Sequence, residues 1–545
     1  MLKNLGDIIK SCIFAKRILE KEMMTIMKYP IGIQTFEKVI EDGFSYVDKT
    51  GLVYQLVHYA QNLFLSRPRR FGKSLLVSTL QAYFEGKKEL FEGLAIEKLE
   101  NEWETYPVIH IDMSCGKYYQ LQNLHTTLHR ILSEYERLYH IATPTVNPDV
   151  YSSRLTNIIS AARQQTGKKV VVLIDEYDCP MHDSVKDENL QNQIRDIMRD
   201  FFSPLKQQDA NLRFVFITGI SKFSQLSIFS ELNNLKIITM KNEYASVCGF
   251  TEEELLANYQ EDIQELADEN ELTYDEALAE LRYHYDGYHF SAKSPGIYNP
   301  FSIINALDDK EFNSYWFTSG TPTFLVELLQ NKGYDMLQLD DIWTSDKRFD
   351  APTEKISDPV PVLYQSGYLT IKEYDKRSKQ YRLGFPNEEV RQGFSTSLFR
   401  YYSPDGMGNY DALCRAYYDC LVRDGDMSAF LPHLKTFYDK FPYTLINNNE
   451  RHYQAVLYTI FAMLGVDVTP EQPTSDGRID MVLKTTDNIY VFELKYKKDA
   501  ATALAQIKDK KYASAFADDK RKKVLVGINF SEDNRTIDEW EINTL

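Results

Sequence analysis

Long apolar runs are what this 545-residue sequence most clearly lacks. The best stretches, residues 170–174 and 458–466, fall far short of the ~18 residues that cross a bilayer, which argues against a helical membrane span. A secretory leader is not expected either. Lys10 interrupts the apolar residues 5–14 and Lys16 with Arg17 closes them, so residues 1–26 read as a short amphipathic helix. Met23, Met24 and Met27 allow an internal translation start just before Lys28. Paired cysteines are absent: Cys12, Cys115, Cys179, Cys248, Cys414 and Cys420 contain no Cys-x-x-Cys and no zinc-like grouping, the pattern of reduced thiols in a cytoplasmic protein. There is no excess of basic charge either. With 79 acidic and 62 basic side chains the net charge is −17, which excludes a uniformly basic nucleic-acid coat and leaves phosphate contacts to local patches. What is present is ordinary for a folded chain, 43% hydrophobic and 26% charged. At ~150 residues per domain the length suggests three to four domains.

Residues 63–65 carry a short apolar strand signal. Ser66-Arg67-Pro68-Arg69-Arg70-Phe71-Gly72-Lys73-Ser74 follows, and then an apolar periodic helix over 75–84. Strand, loop and helix in this order make a P-loop, in which main-chain N–H groups and the helix N-terminus face phosphates, the lysine reaches the β/γ oxygens and the hydroxyl ligates Mg²⁺. Arg67 stands where the first glycine of Gly-x-x-x-x-Gly-Lys-Ser would be, so a plain basic strand-to-helix turn is the alternative. Residues 170–174 are β-prone and apolar and end in Asp175-Glu176, the pattern of a buried parallel strand. Ligands bind beyond the carboxyl ends of strands in α/β sheets. Asp175 is thus placed to hold Mg²⁺ through water, and Glu176 to orient or deprotonate the attacking water. Residues 108–113 and 212–217 complete the strand set. The latter ends in Thr218-Gly219-Ile220-Ser221, with the Thr218 hydroxyl at a phosphate-sensing position.

Tyr29-Pro30-Ile31-Gly32, Tyr46-Val47-Asp48-Lys49-Thr50, the loop from Arg67 to Ser74, Asp175-Glu176-Tyr177-Asp178 and Gly249-Phe250-Thr251-Glu252-Glu253 together resemble the bacterial AAA-ATPase-like family. That family couples a divergent P-loop ATPase to a C-terminal nuclease-like module, and the resemblance covers nearly the whole chain from residue 28. It implies ATP and Mg²⁺ at Lys73, Ser74, Asp175 and Glu176. Ser74 and Asp175 would be metal ligands, with Arg69, Arg70, Phe71, Gly72 and Thr218 around the nucleotide. Arg69, Arg70 and Arg213 are the candidate arginine fingers.

Residues 251–286 hold 13 acidic side chains against one basic, Arg282. Periodic Leu255, Leu256, Tyr259, Ile263 and Leu266 predict an amphipathic helix with an acidic outer face, either a solvated lid or a docking surface for a basic protein partner. Residues 361–386 read as a helix and two strands, 368–373 and 381–384, about a polar turn, and resemble a winged-helix module. His125 and His129 lack the glutamate of His-Glu-x-x-His and a third ligand, so they read as ordinary helix residues.

The sharpest chemistry lies in the last hundred residues. Gly477-Arg478-Ile479-Asp480-Met481-Val482-Leu483-Lys484 and Ile489-Tyr490-Val491-Phe492-Glu493-Leu494-Lys495 flank the polar turn 485–488. A hairpin centred between Thr486 and Asp487 pairs Asp480 with Glu493, Ile479 with Leu494, Met481 with Phe492 and Leu483 with Tyr490. Those six apolar side chains then share one face, and Asp480, Glu493 and Lys495 share the other. A register shifted by two would set Asp480 opposite Lys495 and keep the three on one face. Two carboxylates one cross-strand step apart can share Mg²⁺, and the lysine can position water or stabilise developing phosphate charge; an exposed charge ladder is the alternative. A helix from Glu450 points that carboxylate inward, and a helix over 500–516 carries Gln506. Helix, hairpin and helix with Glu450, Asp480, Glu493-x-Lys495 and Gln506 resemble the PD-(D/E)XK nuclease fold, with Ile479-Asp480 in place of Pro-Asp. The resemblance implies Asp480 and Glu493 as metal ligands, Lys495 as the catalytic lysine, and Glu450 and Gln506 in support. Residues 495–523 hold ten basic and four acidic side chains, a local +6 suited to salt-dependent phosphate contact.

The expected fold class is α/β: a P-loop NTPase parallel sheet with a helical and winged-helix lid, then an α/β PD-(D/E)XK nuclease-like domain. The expected boundaries are an extension at 1–27, the ATPase-like domain at 28–246, the lid at 247–440 and the nuclease-like domain at 441–545. The expected activities are ATP binding with hydrolysis and Mg²⁺-dependent cleavage of DNA. A nucleotide-regulated switch that recruits a protein and only binds nucleic acid is the rival reading. A homo-oligomer is compatible with either; a membrane is not expected.

Overall fold

The computed structural model describes residues 28–545 apart from 144–146, 223–234, 318–324, 326–328, 330–335, 352–357, 403–406, 440–448, 476 and 532–535. The expected helix within residues 1–26, with Cys12, lies outside the described residues, as does the expected boundary at 440/441. The first sheet contains β1 (Asn62–Ser66), β2 (Val108–Asp112), β3 (Val170–Asp175), β4 (Leu212–Gly219) and β5 (Lys236–Ile237), in the order β2-β3-β4-β1-β5. Every pairing in it is parallel. β1 and β3 are buried at every position because helices cover both faces, which is why their sequences run apolar without alternation. Leu63, Leu65, Val171 and Leu173 join the cluster of helices Thr50–Tyr59 and Lys73–Phe84. Phe64, Val170, Val172 and Ile174 join that of Leu121–Leu138, Tyr151–Thr166 and Glu188–Phe202.

The acidic stretch departs from expectation. It folds as three helices, Glu252–Asn258, Gln260–Glu269 and Tyr274–Tyr285, not one. Capping boxes start the first and third: Thr251 with Glu254, and Thr273 with Glu276, satisfy N–H groups that a continuous helix would not expose there. The winged region keeps its helix, Pro359–Gln365, buried at every residue. It adds β6 (Ile342–Thr344) to the expected hairpin of β7 (Thr370–Asp375) and β8 (Gln380–Gly384), in the order β6-β8-β7.

The C-terminal sheet contains β9 (Asp467–Thr474), β10 (Gly477–Lys484), β11 (Asn488–Tyr496), β12 (Lys522–Phe530) and β13 (Ile537–Thr544), ordered β13-β12-β11-β10-β9. Met481 pairs with Phe492 and Leu483 with Tyr490, the expected register. Helix Glu450–Met463 lies on one face, and helix Ala500–Asp509 crosses the other to make β11 and β12 parallel. The second helix is shorter than the sequence suggests. Lys511 takes φ 50°, and a separate 3₁₀ turn, Tyr512–Phe516, follows.

Candidate functional site

The phosphate loop leaves β1 at its carboxyl end and reaches helix Lys73–Phe84 through Gly72, which takes φ 86° as N-cap. Arg67 is 1% exposed and turned into the protein. Its guanidinium lies 4.1 Å from the Phe290 ring centre and donates to the main-chain oxygens of Ser66, Thr239 and Tyr244, each at 2.9 Å. Burial draws its pKa down to about 10. The residue replacing the first glycine is therefore a brace between β1 and the segment after β5.

Lys73 is 4% exposed; its ammonium donates to the Pro68 carbonyl at 3.2 Å and pairs with Glu176 Oε1 at 3.1 Å. Burial would lower its pKa, but Glu176 and Asp175 outweigh this and hold it raised. Burial and the neighbouring Glu176 push the Asp175 carboxyl up to about 7, against the opposing pull of the Ser74 hydroxyl. Glu176 takes φ 48°, a strained conformation for a residue with a Cβ. Its Oε2 is buried without a hydrogen-bond partner among the described residues. Lys73, Ser74 and Glu176 border a cavity of about 510 Å³, within the range of small-molecule sites, and Asp175 lies buried behind its lining. One wall is polar, from Arg69, Arg70, Gly72, Lys73, Ser74 and Glu176, with Phe71 beside them; the other is formed by Pro30, Tyr46, Val47, Phe250, Phe301 and Ile304. The Tyr-Pro-Ile-Gly, Tyr-Val-Asp-Lys-Thr and Gly-Phe-Thr motifs thus meet at one place.

Thr218 sits elsewhere. It is fully buried opposite Leu65, its Oγ1 has no partner among the described residues, and Ile220 lines the cavity in its stead. Arg213 lies near the amino end of β4, away from the loop, with its guanidinium over Phe84 and Tyr106. Asp178, absent from the expected site set, is a buried clasp at the β4 tip. It accepts from the N–H of Ser221 at 2.7 Å, the Ser221 hydroxyl at 2.8 Å and His182 at 3.0 Å. Burial alone would raise its pKa; His182 and Ser221 outweigh this and hold it low. His125 and His129 engage Tyr151 and Asp149, as ordinary helix residues do.

In the C-terminal sheet the pairing of β10 with β11 runs up to Met481–Phe492 and does not include Asp480 with Glu493. The Asp480 carboxylate instead accepts the Leu494 N–H at 2.7 Å. The local kink also moves Ile479 into the cluster of Val482, Ile489 and Val491, so the expected six-residue apolar face loses that member. Lys495 is 5% exposed; its ammonium lies 2.7 Å from Glu493 Oε1 and 4.0 Å from Glu450 Oε1. Glu450 Oε2 also accepts the Tyr496 N–H at 3.2 Å. Burial raises both Asp480 and Glu493, and each is raised further by neighbouring carboxylates. Glu493 Oε2 is buried without a partner among the described residues, as Glu176 Oε2 is. Gln506 is half-buried on helix Ala500–Asp509 and makes none of the hydrogen bonds of this cluster among the described residues. Gln454, one turn beyond Glu450, donates to the Asp480 carbonyl at 2.7 Å; its spacing from Glu450 could have singled it out. No three acidic, imidazole or thiol side chains form a preformed metal cage among the described residues. Mg²⁺, which takes one or two carboxylates with water and phosphate oxygens, does not require one.

Comparison with known proteins gives two matches along the chain. A family model described as predicted AAA-ATPase matches residues 30–229, and one described as PD-(D/E)XK nuclease superfamily matches residues 448–540. The chain is 35% identical over 537 residues to an uncharacterized protein in the vnfD 5′ region of Azotobacter chroococcum mcd 1, covering 96% of this chain and 100% of that relative.

Proposed function

The chain belongs to the predicted AAA-ATPase family and ends in a PD-(D/E)XK nuclease superfamily domain, and from that premise we propose that it binds and hydrolyses ATP at the first site and cleaves DNA phosphodiester bonds at the second. One observation carries the reading. At each site a buried lysine, Lys73 or Lys495, is paired with a glutamate whose second oxygen is buried and without a hydrogen-bond partner among the described residues. A buried carboxylate oxygen left in that state is costly, and a cation or a water held at the site would satisfy it.

Mg²⁺ bound at either site would supply Lewis-acid and charge-neutralising chemistry. At the first site Ser74 and Asp175 would hold it, and Lys73 holds the phosphate oxygens together with the N–H groups of the loop. Glu176 takes the proton of the attacking water, while the apolar wall of Tyr46, Phe250 and Phe301 accepts the base. At the second site Asp480 and Glu493 would hold the cation, Glu450 orients Lys495, and Lys495 stabilises the charge that develops on phosphate. A nucleic-acid substrate is favoured by the exposed Lys497, Lys498, Lys508, Lys510 and Lys511 of the same domain in a protein of charge −17.

The test is cleavage of labelled single- and double-stranded DNA with Mg²⁺, with and without ATP. Asp480→Ala and Glu493→Ala are expected to abolish cleavage, and Lys495→Ala to slow it while sparing metal binding. Cleavage that survives Asp480→Ala would remove the second site from the proposal. No cleavage in any nucleotide state would favour the switch that only binds nucleic acid.

A further inference from the structure

Asp480 occupies an unusual place for a residue in the middle of a sheet. β10 is flanked by β9 and β11, yet neither register includes Asp480: the pairing with β9 passes over Glu471, and the pairing with β11 ends at Met481–Phe492, short of Glu493. On the β11 side the Leu494 N–H goes to the Asp480 carboxylate at 2.7 Å. On the β9 side Glu471 takes φ 50°, a left-handed conformation inside a strand, while the register stays the same on either side of it. The Asp480 carbonyl lies at this interruption, and a carbonyl drawn away from water has to be satisfied.

Gln454 satisfies it. This side chain is 5% exposed on helix Glu450–Met463, four residues after Glu450 and on the same helix edge. Its Nε2 donates to the Asp480 carbonyl and to Glu471 Oε1, both at 2.7 Å. Both partners are acceptors, so only the NH₂ end of the amide fits there. Glu471 is fixed in turn by Arg478, at 2.7 Å from its Oε2. One helix edge thus serves both catalytic strands, with Glu450 on the β11 end and Gln454 on the β10 kink.

We infer that Gln454 is a positioning residue that holds the sheet open at Asp480 and so aims its carboxylate at Glu493 and Lys495. This rests on the nuclease reading. Without the amide, the Asp480 carbonyl loses that donor and nothing from the helix opposes regular pairing with Glu493, which would take the carboxylate off the site.

Full-length protein is titrated with Mn²⁺ by calorimetry as wild type, Asp480→Ala and Gln454→Met, with thermal unfolding of each followed by circular dichroism. Gln454→Met, similar in volume but without donors, is expected to bind Mn²⁺ about 10–100-fold more weakly, the usual cost of removing a group that orients a metal ligand. Should Gln454→Met fail to fold, Gln454→Lys is read instead. It keeps donors for both oxygens and has to bind Mn²⁺ about as tightly as wild type for the inference to stand. Wild-type affinity in Gln454→Met, together with loss in Asp480→Ala, overturns the positioning role alone. A wild type with no Asp480-dependent Mn²⁺ binding overturns the nuclease reading and this inference with it.

Discussion

Lys73 and Glu176 neutralise one another across 3.1 Å at a cavity wall. A phosphate entering there would compete for the ammonium and leave Glu176 free to accept a proton. Lys73→Ala removes that ammonium, and calorimetry is expected to give an ATP Kd raised by about 30-fold or more, the equivalent of about 2 kcal/mol. Equal affinity in the two proteins would sink the assignment of the loop. Glu176→Gln keeps the shape and loses the base, so ATP should bind as before while turnover falls by about 10²-fold or more in a phosphate-release assay. Asp175 carries a pH test. Burial, reinforced by Glu176, raises its carboxyl to about 7. Between the ordinary carboxylate range near pH 4 and about pH 7, the folded protein keeps a proton that the unfolded chain gives up. Stability is therefore lost as the pH rises through this window and is unaffected below it. Without nucleotide or metal, Asp175→Asn is expected to be more stable than wild type near pH 8, on the order of 2 kcal/mol by urea unfolding, and equal to it near pH 4.

At the scale of the element, Gly527 sets how closely the crossover helix approaches the nuclease sheet. It pairs with Glu493 in β12, and a Cβ placed on it would lie 2.6 Å from the Ala500 carbonyl oxygen and 2.8 Å from the Leu504 nitrogen. The contacts are main chain, which cannot swing aside. Gly527→Val is expected to lift the start of helix Ala500–Asp509 and cost about 1–3 kcal/mol in chemical unfolding; an unchanged midpoint would contradict this packing. Elements of this kind differ in how far the sequence announces them. The register of β10 with β11 was legible because a polar turn between alternating apolar residues permits few pairings, and Met481–Phe492 is among them. The kink at Asp480 was not, since it depends on Gln454, 26 residues earlier on a helix. The parallel strands were legible as buried apolar runs. The split of the acidic stretch at Tyr259 was not, because the apolar spacing continues through it while the helix does not. The apolar wall of the first cavity joins residues 30–47 to residues 247–305, and no local period tells that two such distant segments meet.

For the whole molecule, the lid is built onto both sites. Trp316 donates its indole N–H to the Arg69 carbonyl at 3.1 Å, and Gly367, at φ 87°, lies so near Pro68 that a Cβ would come within 2.6 Å of its ring. Lys222, just past the β4 tip, gives its N–H to Gln365 at 2.7 Å and its ammonium to Asp350. The main-chain N–H of Trp316 donates to Glu389 at 2.6 Å, at the start of helix Glu388–Tyr402. That helix is fastened to the nuclease-like domain: Arg391 donates to the Val468 and Val466 carbonyls at 3.2 and 3.3 Å, and Gln392 to the Met463 carbonyl at 3.3 Å. Helix Met427–Asp439 adds a bond from the Tyr438 hydroxyl to the Tyr453 carbonyl at 3.0 Å and a ring contact with Phe530. One hydrophobic cluster accordingly contains Leu65 of the first sheet, Phe394 of the lid and Phe492 of the last sheet. The sequence suggests a nuclease-like domain over 441–545, but a cut near that boundary strips both helices from the apolar face of helix Glu450–Met463. About 100 residues have little core to spare for that loss. A fragment 443–545 is therefore expected to aggregate or melt without a cooperative transition. A fragment 388–545, which keeps both helices, is expected to stay soluble and unfold cooperatively in a thermal scan. Equal behaviour of the two fragments would mean that the shared helices do not stabilise the nuclease-like domain.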